Sequence, residues 1–162
     1  MHTNDLMKIV DETKKLTTIV LEDDPETNEW MSETLENFFN KVYPAYEGEE
    51  ALKLYKKHQP DIVYIDIILP GMSGLEVAKQ IREMNPKQTI VIVSGSDDMS
   101  HISRSVELDV NNFIRKPINA DKMIDVLNDI VHDIKYEKKL LKRILKKKVK
   151  KFKKELKKEL EI

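Results

Sequence analysis

The chain has 162 residues, of which 40% are hydrophobic and 35% are charged, and it contains no cysteine. This composition predicts a globular domain with an appendage and excludes a disulfide framework or a thiolate metal site. No apolar run approaches the ~20 residues of a membrane-spanning helix and no signal peptide is recognisable, so we expect a cytoplasmic protein.

The net charge of −1 is the sum of two opposite regions. Residues 134–162 carry 14 Lys/Arg and four Asp/Glu, a net of +10, whereas residues 1–133 carry 14 Lys/Arg and 25 Asp/Glu, a net of −11. Such asymmetry indicates two functional regions. We therefore divide the chain into an N-terminal lead (1–15), a central domain (16–133) and a basic helical extension (134–162).

The first half of the central domain predicts two strands and two helices. After a polar lead of a helical turn or two, the β-branched run 17–21 predicts a buried strand, and Pro25 behind an Asp predicts a helix to about residue 40. Residues 42–46 predict a second strand, which Pro44 confines to an edge of its sheet. A second helix follows at 49–58.

The second half repeats this alternation. The apolar run 61–66 predicts a strand covered on both faces. Ser73 is the expected cap of a helix that extends to residue 84 and buries Leu75, Ala78 and Ile81. The remaining predicted elements are a strand at 89–93, a helix at 97–108, a strand at 111–115 that Pro117 ends, and a last helix that Asn119 caps.

Five strands that alternate with helices predict an α/β domain with a parallel sheet and helices on both faces, although periodicity leaves the strand order open. In such sheets functional groups gather at the carboxyl ends of the strands. Five polar residues occupy those ends: Glu22, Asp23, Asp66, Ser94 and Lys116. Three converging carboxylates repel one another unless a divalent cation or a Lys neutralises them, and Mg²⁺ prefers oxygen ligands. Asp66 could then attack phosphorus as a nucleophile, with Lys116 and Ser94 bonding the phosphoryl oxygens.

Five segments resemble response-regulator receiver domains in order and spacing. They are Ile19-Val20-Leu21-Glu22-Asp23-Asp24-Pro25, Asp61-Ile62-Val63-Tyr64-Ile65-Asp66, Leu69-Pro70-Gly71-Met72-Ser73-Gly74-Leu75-Glu76, Ile92-Val93-Ser94-Gly95 and Phe113-Ile114-Arg115-Lys116-Pro117. The resemblance covers residues 16–133. It implies a doubly wound, flavodoxin-like sheet in the order 2-1-3-4-5 and phosphoryl transfer from a histidine kinase or phosphotransfer protein. Because no output domain is recognisable, we expect signalling by protein contact without turnover of a substrate.

The resemblance also implies roles for individual residues. Asp66 matches the phosphoacceptor, and Lys116 and Ser94 match the residues that assist the transfer. Ser94 and Phe113 match the pair that changes position on phosphorylation. The Lys116–Pro117 peptide bond is expected to be cis.

A Mg²⁺ site is part of the same resemblance. Its ligands would be Asp23, Asp66 and the main-chain carbonyl of Ile68, with Glu22 acting through water. The acidic pair of the family directly follows the first strand, which leaves Asp24 as a helix cap.

Two positions depart from the family pattern. Ile68 stands where some members carry a polar side chain that orients the hydrolytic water, so we expect a long-lived phosphorylated form. Asp109-Val110 replaces the usual Gly-Ala before the fifth strand. Because Asp tolerates a left-handed backbone, it can supply that turn.

Two other functions are considered. Haloacid-dehalogenase-type phosphatases also use an aspartyl nucleophile, but they need a second Asp two residues on as general acid, where this chain has Ile68. A non-phosphorylated pseudo-receiver that only binds other proteins is the stronger alternative, but such proteins usually lack some of the acids or the Lys. Structural interpretations remain for single residues: the acids could cap a helix, Ser94 could form a turn and Phe113 could belong to the core. The four His residues lack ligand spacing.

The basic extension continues the last helix without Gly or Pro, which predicts one helix of ~40 residues and ~60 Å. Apolar residues recur on it every three or four positions: Leu141, Leu145, Val149, Phe152, Leu156 and Leu160. Four interpretations remain open: pairing with a second copy or a partner helix, a membrane-surface helix, a nucleic-acid-binding arm, and a solvated helix. We favour helix pairing, consider membrane binding disfavoured, and expect no sequence-specific binding of nucleic acid.

Overall fold

A computed structural model describes residues 3–95 and 99–160. The chain divides into two compact units, Met1–Leu127 and Asn128–Ile162. The strands are β1 (Thr17–Leu21), β2 (Lys41–Ala45), β3 (Ile62–Asp66), β4 (Thr89–Ser94) and β5 (Asn112–Arg115). The helices are α1 (Thr3–Thr13), α2 (Pro25–Glu36), α3 (Gly48–His58), α4 (Gly74–Met84), α5 (Met99–Glu107) and α6 (Ala120–Glu159).

The five strands form one parallel sheet in the order β2-β1-β3-β4-β5, with helices on both faces. This confirms the doubly wound topology. β2 lies at an edge, as its proline requires, and Pro44 pairs with Val20 of β1. β3 lies at the centre, and all five of its residues are buried, as the apolar run predicted. The central strand therefore carries Asp66 to the carboxyl edge of the sheet.

Alternate strand residues face opposite sides of the sheet. On one side, strand residues pack with side chains of α3 and α4 in a single cluster that includes Ile19, Leu21, Val63, Ile65, Ile90, Ile92, Ala51, Leu52, Tyr55, Ala78 and Ile81. On α4 the predicted Ala78 and Ile81 are buried. Val77 is buried in place of the predicted Leu75, which is only partly buried. The helix begins at Gly74, and positions 74, 77, 78 and 81 share one helical face.

The predicted helix caps are confirmed. The Asp24 carboxylate accepts a hydrogen bond from the Thr27 N–H at 2.9 Å, and the Ser73 hydroxyl accepts one from the Glu76 N–H at 3.2 Å. Asn119 caps α6 in the same way by accepting from the Lys122 N–H at 2.9 Å. These side chains satisfy N–H groups that a first helical turn leaves without partners.

Two backbone predictions are also confirmed. Asp109 adopts a left-handed conformation with φ 55°, which supplies the turn before β5 without glycine. The Lys116–Pro117 peptide bond is cis.

The N-terminal lead differs from its prediction of a helical turn or two, because α1 has 11 residues. Ile9 and Thr13 are buried, and the Thr13 hydroxyl donates to the main-chain oxygen of Phe38 at 2.8 Å. α2 ends at Glu36, earlier than the predicted residue 40. The chain leaves the helix there because Phe38 and the next residue turn into the core.

Two further predictions concern the C-terminal half. The predicted start of the helix at Asp97 lies outside the described residues, which resume at Met99. α6 has 40 residues and confirms the single long helix. Among the described residues, no helix is long and apolar enough to cross a membrane.

Candidate functional site

Three carboxylates meet where β1 and β3 end. Glu22 and Asp23 directly follow β1, and Asp66 is the last residue of β3. The two strands are hydrogen-bonded neighbours, with Leu21 paired to Ile65, so their next residues lie side by side. One carboxylate oxygen from each acid lies within 4.8 Å of the others. The structure therefore brings together the three acids that the sequence placed at the strand ends.

Lys116 joins this cluster from the end of β5. Its Nζ lies 2.8 Å from Oε2 of Glu22 and 2.6 Å from Oδ2 of Asp66. The Lys116 main-chain N–H donates to the main-chain oxygen of Ser94 at 2.8 Å, which extends the contact between β4 and β5 beyond the last strand residues. The ammonium group thus bonds two carboxylates at once, and charge-assisted bonds of this length are strong ones.

The electrostatics of the site favour additional positive charge. Burial raises the pKa of the Glu22 carboxyl to about 7, and the neighbouring Asp66 adds to this effect, although the Lys116 hydrogen bond opposes it. Burial acts to lower the pKa of Lys116, but its hydrogen bonds to Asp66 and Glu22 outweigh burial, so that the pKa is raised. One ammonium therefore faces three carboxylates, a set that a bound cation would stabilise.

The donor set suits a hard divalent cation, because every side-chain group it offers is a carboxylate oxygen. Asp23 is exposed to solvent, whereas Glu22 and Asp66 are buried. Both oxygens of Glu22 already have protein partners, since Oε1 accepts from the Asp24 N–H at 3.1 Å and Oε2 from Lys116. Both oxygens of Asp66 also have partners, the Ile68 N–H and Lys116, so the exposed Asp23 is the acid best placed for direct contact with an ion.

Asn28, which the sequence analysis did not single out, fixes the backbone beneath the acids. This fully buried residue of α2 donates through Nδ2 to the main-chain oxygens of Glu22 and Ala45, each at 2.9 Å. It therefore holds the ends of β1 and β2 together. The available signal was an amide residue on the inner side of a helix, where apolar residues are usual.

Gly74 allows α4 to begin against the end of β3. A Cβ on this residue would overlap the main-chain oxygen of Asp66, and the Gly74 N–H donates to the Ile67 oxygen at 3.0 Å. Gly71, in the same loop, has φ +74° and needs its freedom for that reason. Both glycines lie in the segment from Leu69 to Glu76 that resembles receiver domains, but the sequence predicted no role for them at the site.

The remaining candidate residues lie at the ends of neighbouring strands. Ser94 is half-buried at the end of β4, opposite Arg115. Phe113 is 38% exposed in β5 and does not belong to the core, so the interpretation as a core residue is wrong. Ile68 follows the central strand, is 59% exposed, and donates its N–H to Oδ1 of Asp66 at 3.0 Å.

Comparison with known proteins gives consistent matches. The family model for "Response regulator receiver domain" matches residues 18–128. The chemotaxis protein CheY of Bacillus subtilis is 31% identical over 94 residues, which are 58% of this chain and 78% of that protein. The N-terminal domain of an uncharacterized protein, WS1339, from Wolinella succinogenes is 32% identical, with a TM-score of 0.70 over 76% of this chain and 99% of that chain.

A longer relative matches over one part of its length. The cyclic di-GMP phosphodiesterase of Thermotoga maritima is 35% identical over 106 residues, which are 65% of this chain but 28% of that protein. The similarity is therefore limited to 28% of that protein's length.

Proposed function

This chain belongs to the response regulator receiver domain family, and on that premise we propose that it is a phosphorylation switch in which Asp66 accepts the phosphoryl group. The donor is the phosphohistidine of a histidine kinase or phosphotransfer protein. The protein then signals by contact with another protein in the cytoplasm and turns over no substrate of its own.

The observation that carries this proposal is the position of the Asp66 carboxylate. It is buried at the end of the central strand, with Oδ1 held by the Ile68 N–H and Oδ2 by Lys116. A carboxylate fixed in this way is oriented for attack on phosphorus. An Asp66 oxygen forms the new P–O bond while the P–N bond to the donor histidine breaks, and the imidazole nitrogen keeps the electron pair and takes up a proton.

Mg²⁺ fits the carboxylate cluster. Asp23, Asp66 and the main-chain carbonyl of Ile68 would hold it directly, and Glu22 would act through water. When bound, the ion would offset the negative charge of the phosphoryl oxygens. Lys116, already bonded to Asp66, is in reach of the same oxygens, because an added phosphoryl group would extend from the oxygen that Lys116 contacts.

The switch involves Ser94 and Phe113. The Ser94 hydroxyl moves to hydrogen-bond the phosphoryl group, which changes the end of β4. Phe113 is partly exposed in the adjacent strand and pairs with Ile92, so a change in β4 alters its packing. The resulting difference in exposed apolar surface is what a partner protein recognises.

Incubation with acetyl phosphate and Mg²⁺, followed by intact-mass measurement, tests the proposal. The wild type should gain one phosphoryl group, and Asp66→Asn should gain none. Asp24→Asn is the matched control, because it alters a neighbouring acid that caps α2 and should leave labelling intact. Equal labelling of Asp66→Asn would exclude the assignment of the site. An unlabelled wild type in the presence of Mg²⁺ would favour the pseudo-receiver.

A further inference from the structure

The extension displays a row of large apolar side chains that is exposed along its whole length. We call this row the apolar stripe: Leu141, Leu145, Val149, Phe152, Leu156 and Leu160. Each of these side chains is at least 42% exposed. Helices in proteins gain most of their stability from packing of an apolar face and not from intrinsic propensity. The exposed stripe is therefore a candidate surface for a partner.

The spacing of the stripe follows an eleven-residue repeat. Its three pairs of equivalent positions are Leu141 and Phe152, Leu145 and Leu156, and Val149 and Leu160. Eleven residues complete about three turns at ~3.67 residues per turn, so the stripe stays on one side of a nearly straight helix. Two such helices could remain in contact over the 19-residue separation of the first and last members, which is ~29 Å.

The charges beside the stripe are sorted by sign. The three acidic residues that the structure describes between 134 and 160 all lie on one side, which we call the acidic flank: Glu137, Glu155 and Glu159. The opposite side, the basic flank, contains Lys142, Lys146, Lys153 and Lys157. Both flanks lie about 65–100° from the centre of the stripe in the eleven-residue frame. Lys148 is the exception on the acidic flank, and other lysines, including Lys147, face away from the stripe.

We propose that two copies of this chain pair through the apolar stripe as a parallel, in-register helical dimer. In a parallel two-fold pair, each flank of one helix faces the opposite flank of the other. The basic flank of each copy would then contact the acidic flank of its neighbour on both sides of the interface. An antiparallel pair would instead bring together like charges. The outward lysines of the two copies are separated by the width of both helices, and at that distance salt screens their mutual repulsion.

Other occupants fit the sorted charges less well. An anionic bilayer would receive the stripe with both flanks, so that the glutamates of the acidic flank would face negatively charged headgroups and oppose the attraction of the basic flank. A nucleic acid would bind the lysines but leave the apolar stripe in water. A second copy of the chain is the occupant that uses the stripe and both flanks. This inference does not rest on phosphorylation of Asp66.

The full-length chain can be tested by light scattering after size-exclusion chromatography. The wild type should be dimeric, and Leu145→Glu/Leu156→Glu should be monomeric. Lys142→Glu/Lys146→Glu/Lys153→Glu should weaken the dimer at least tenfold, whereas the matched change of outward lysines, Lys147→Glu/Lys150→Glu/Lys154→Glu, should not. A 1:1 mixture of the basic-flank variant with Glu137→Lys/Glu155→Lys/Glu159→Lys should restore dimers. A monomeric wild type would overturn the proposal. The proposal would also be overturned if anionic vesicles bound the monomer and not the dimer.

The absence of cysteine from the native sequence allows a direct test of orientation. Under mild oxidation, Leu160→Cys should form a disulfide-linked dimer in high yield, because a parallel pair brings the two copies of this position together. Lys147→Cys, on the outward side, should remain largely monomeric on a denaturing gel. A dimer in which Leu160→Cys does not cross-link would overturn the parallel arrangement.

Discussion

Gly74 and Asp66 are in contact so close that a Cβ on residue 74 would overlap the main-chain oxygen of Asp66. The start of α4 thereby rests directly on the end of the central strand. The position of the candidate phosphoacceptor is thus coupled to the absence of a side chain eight residues later in the chain.

Gly74→Ala should lower the free energy of unfolding by about 1–3 kcal/mol, because α4 or the end of β3 must move to admit the methyl group. Gly95→Ala is the control, since a Cβ there would lie 3.6 Å from the Lys116 side chain, an ordinary contact. Urea denaturation of both variants measures the difference. Equal stability of the two would show that the contact can relax without cost.

Asp23→Ala and Asp24→Ala separate metal binding from helix capping. Asp23→Ala should lose most Mg²⁺ affinity with little change in stability, because this exposed acid belongs to the carboxylate cluster. Asp24→Ala should keep Mg²⁺ affinity and lose about 1 kcal/mol of stability with the cap. Trp30 can report binding by fluorescence, because it lines a cavity with Lys116. Unchanged Mg²⁺ affinity in Asp23→Ala would rule out the ligand role.

Ile68→Asn should shorten the lifetime of the phosphorylated form severalfold, because an amide side chain can hold a hydrolytic water that Ile68 cannot. The position is 59% exposed, so the fold should tolerate the change. Ile68→Val is the control and should leave the lifetime unchanged. Loss of the phosphoryl mass with time after removal of acetyl phosphate gives both rates. Identical decay of the Asn and Val variants would contradict this account of Ile68.

Glu22 should make the metal-free protein less stable as pH rises. Its pKa is raised from 4.5 to about 7 in the folded protein, so its contribution is fully present below pH 4.5 and is lost as pH rises through about 7. Relative to Glu22→Gln, the free energy of unfolding of the wild type should fall by on the order of 1–2 kcal/mol across that range. The fall is smaller than the full pKa shift would give, because solvent near the site screens part of the effect. Thermal unfolding in EDTA between pH 4 and 8 measures the difference. A constant difference across this range would contradict the prediction.

Two buried tyrosines should respond oppositely to removal of the hydroxyl. The Tyr64 hydroxyl is buried without a hydrogen-bond partner among the described residues, whereas the Tyr55 hydroxyl donates to Oε1 of Gln88 at 2.8 Å. Tyr64→Phe should therefore stabilise the fold by about 0.5–1 kcal/mol, and Tyr55→Phe should destabilise it by about 1 kcal/mol. Denaturant unfolding of both variants measures the two signs. A loss of stability in Tyr64→Phe would indicate an ordered partner for its hydroxyl.

The sequence allowed prediction of those features whose cause is local. Asp66 was placed correctly because its strand is an unbroken apolar run that ends on a charge, and Asp109 because so few residue types accept a positive φ. The sequence placed Lys116 at the same sheet edge as the acids and offered a Lys as a group that could neutralise them, but which acids it bonds was not predicted, because the bonds join residues 50 and 94 positions apart. Their geometry depends on the order of the strands, which periodicity left open.

The same limit explains the errors at helix ends. The predicted α2 was too long because no local sequence signal indicates that Phe38 turns into the core. α1 was underestimated because its residues are mostly polar, and its stability comes from the few that other elements cover, such as Ile9. Tertiary packing decided both boundaries.

The bond from the Thr13 hydroxyl to the Phe38 oxygen bears on how this domain can be excised or grafted. The family match begins at residue 18, so a chimera cut at that boundary would discard α1. It would leave the Phe38 carbonyl without its donor and uncover the apolar surface that Ile9 occupies. A fragment for chimeras should therefore begin before Thr3, so that it keeps α1 together with the Phe38 carbonyl that Thr13 bonds.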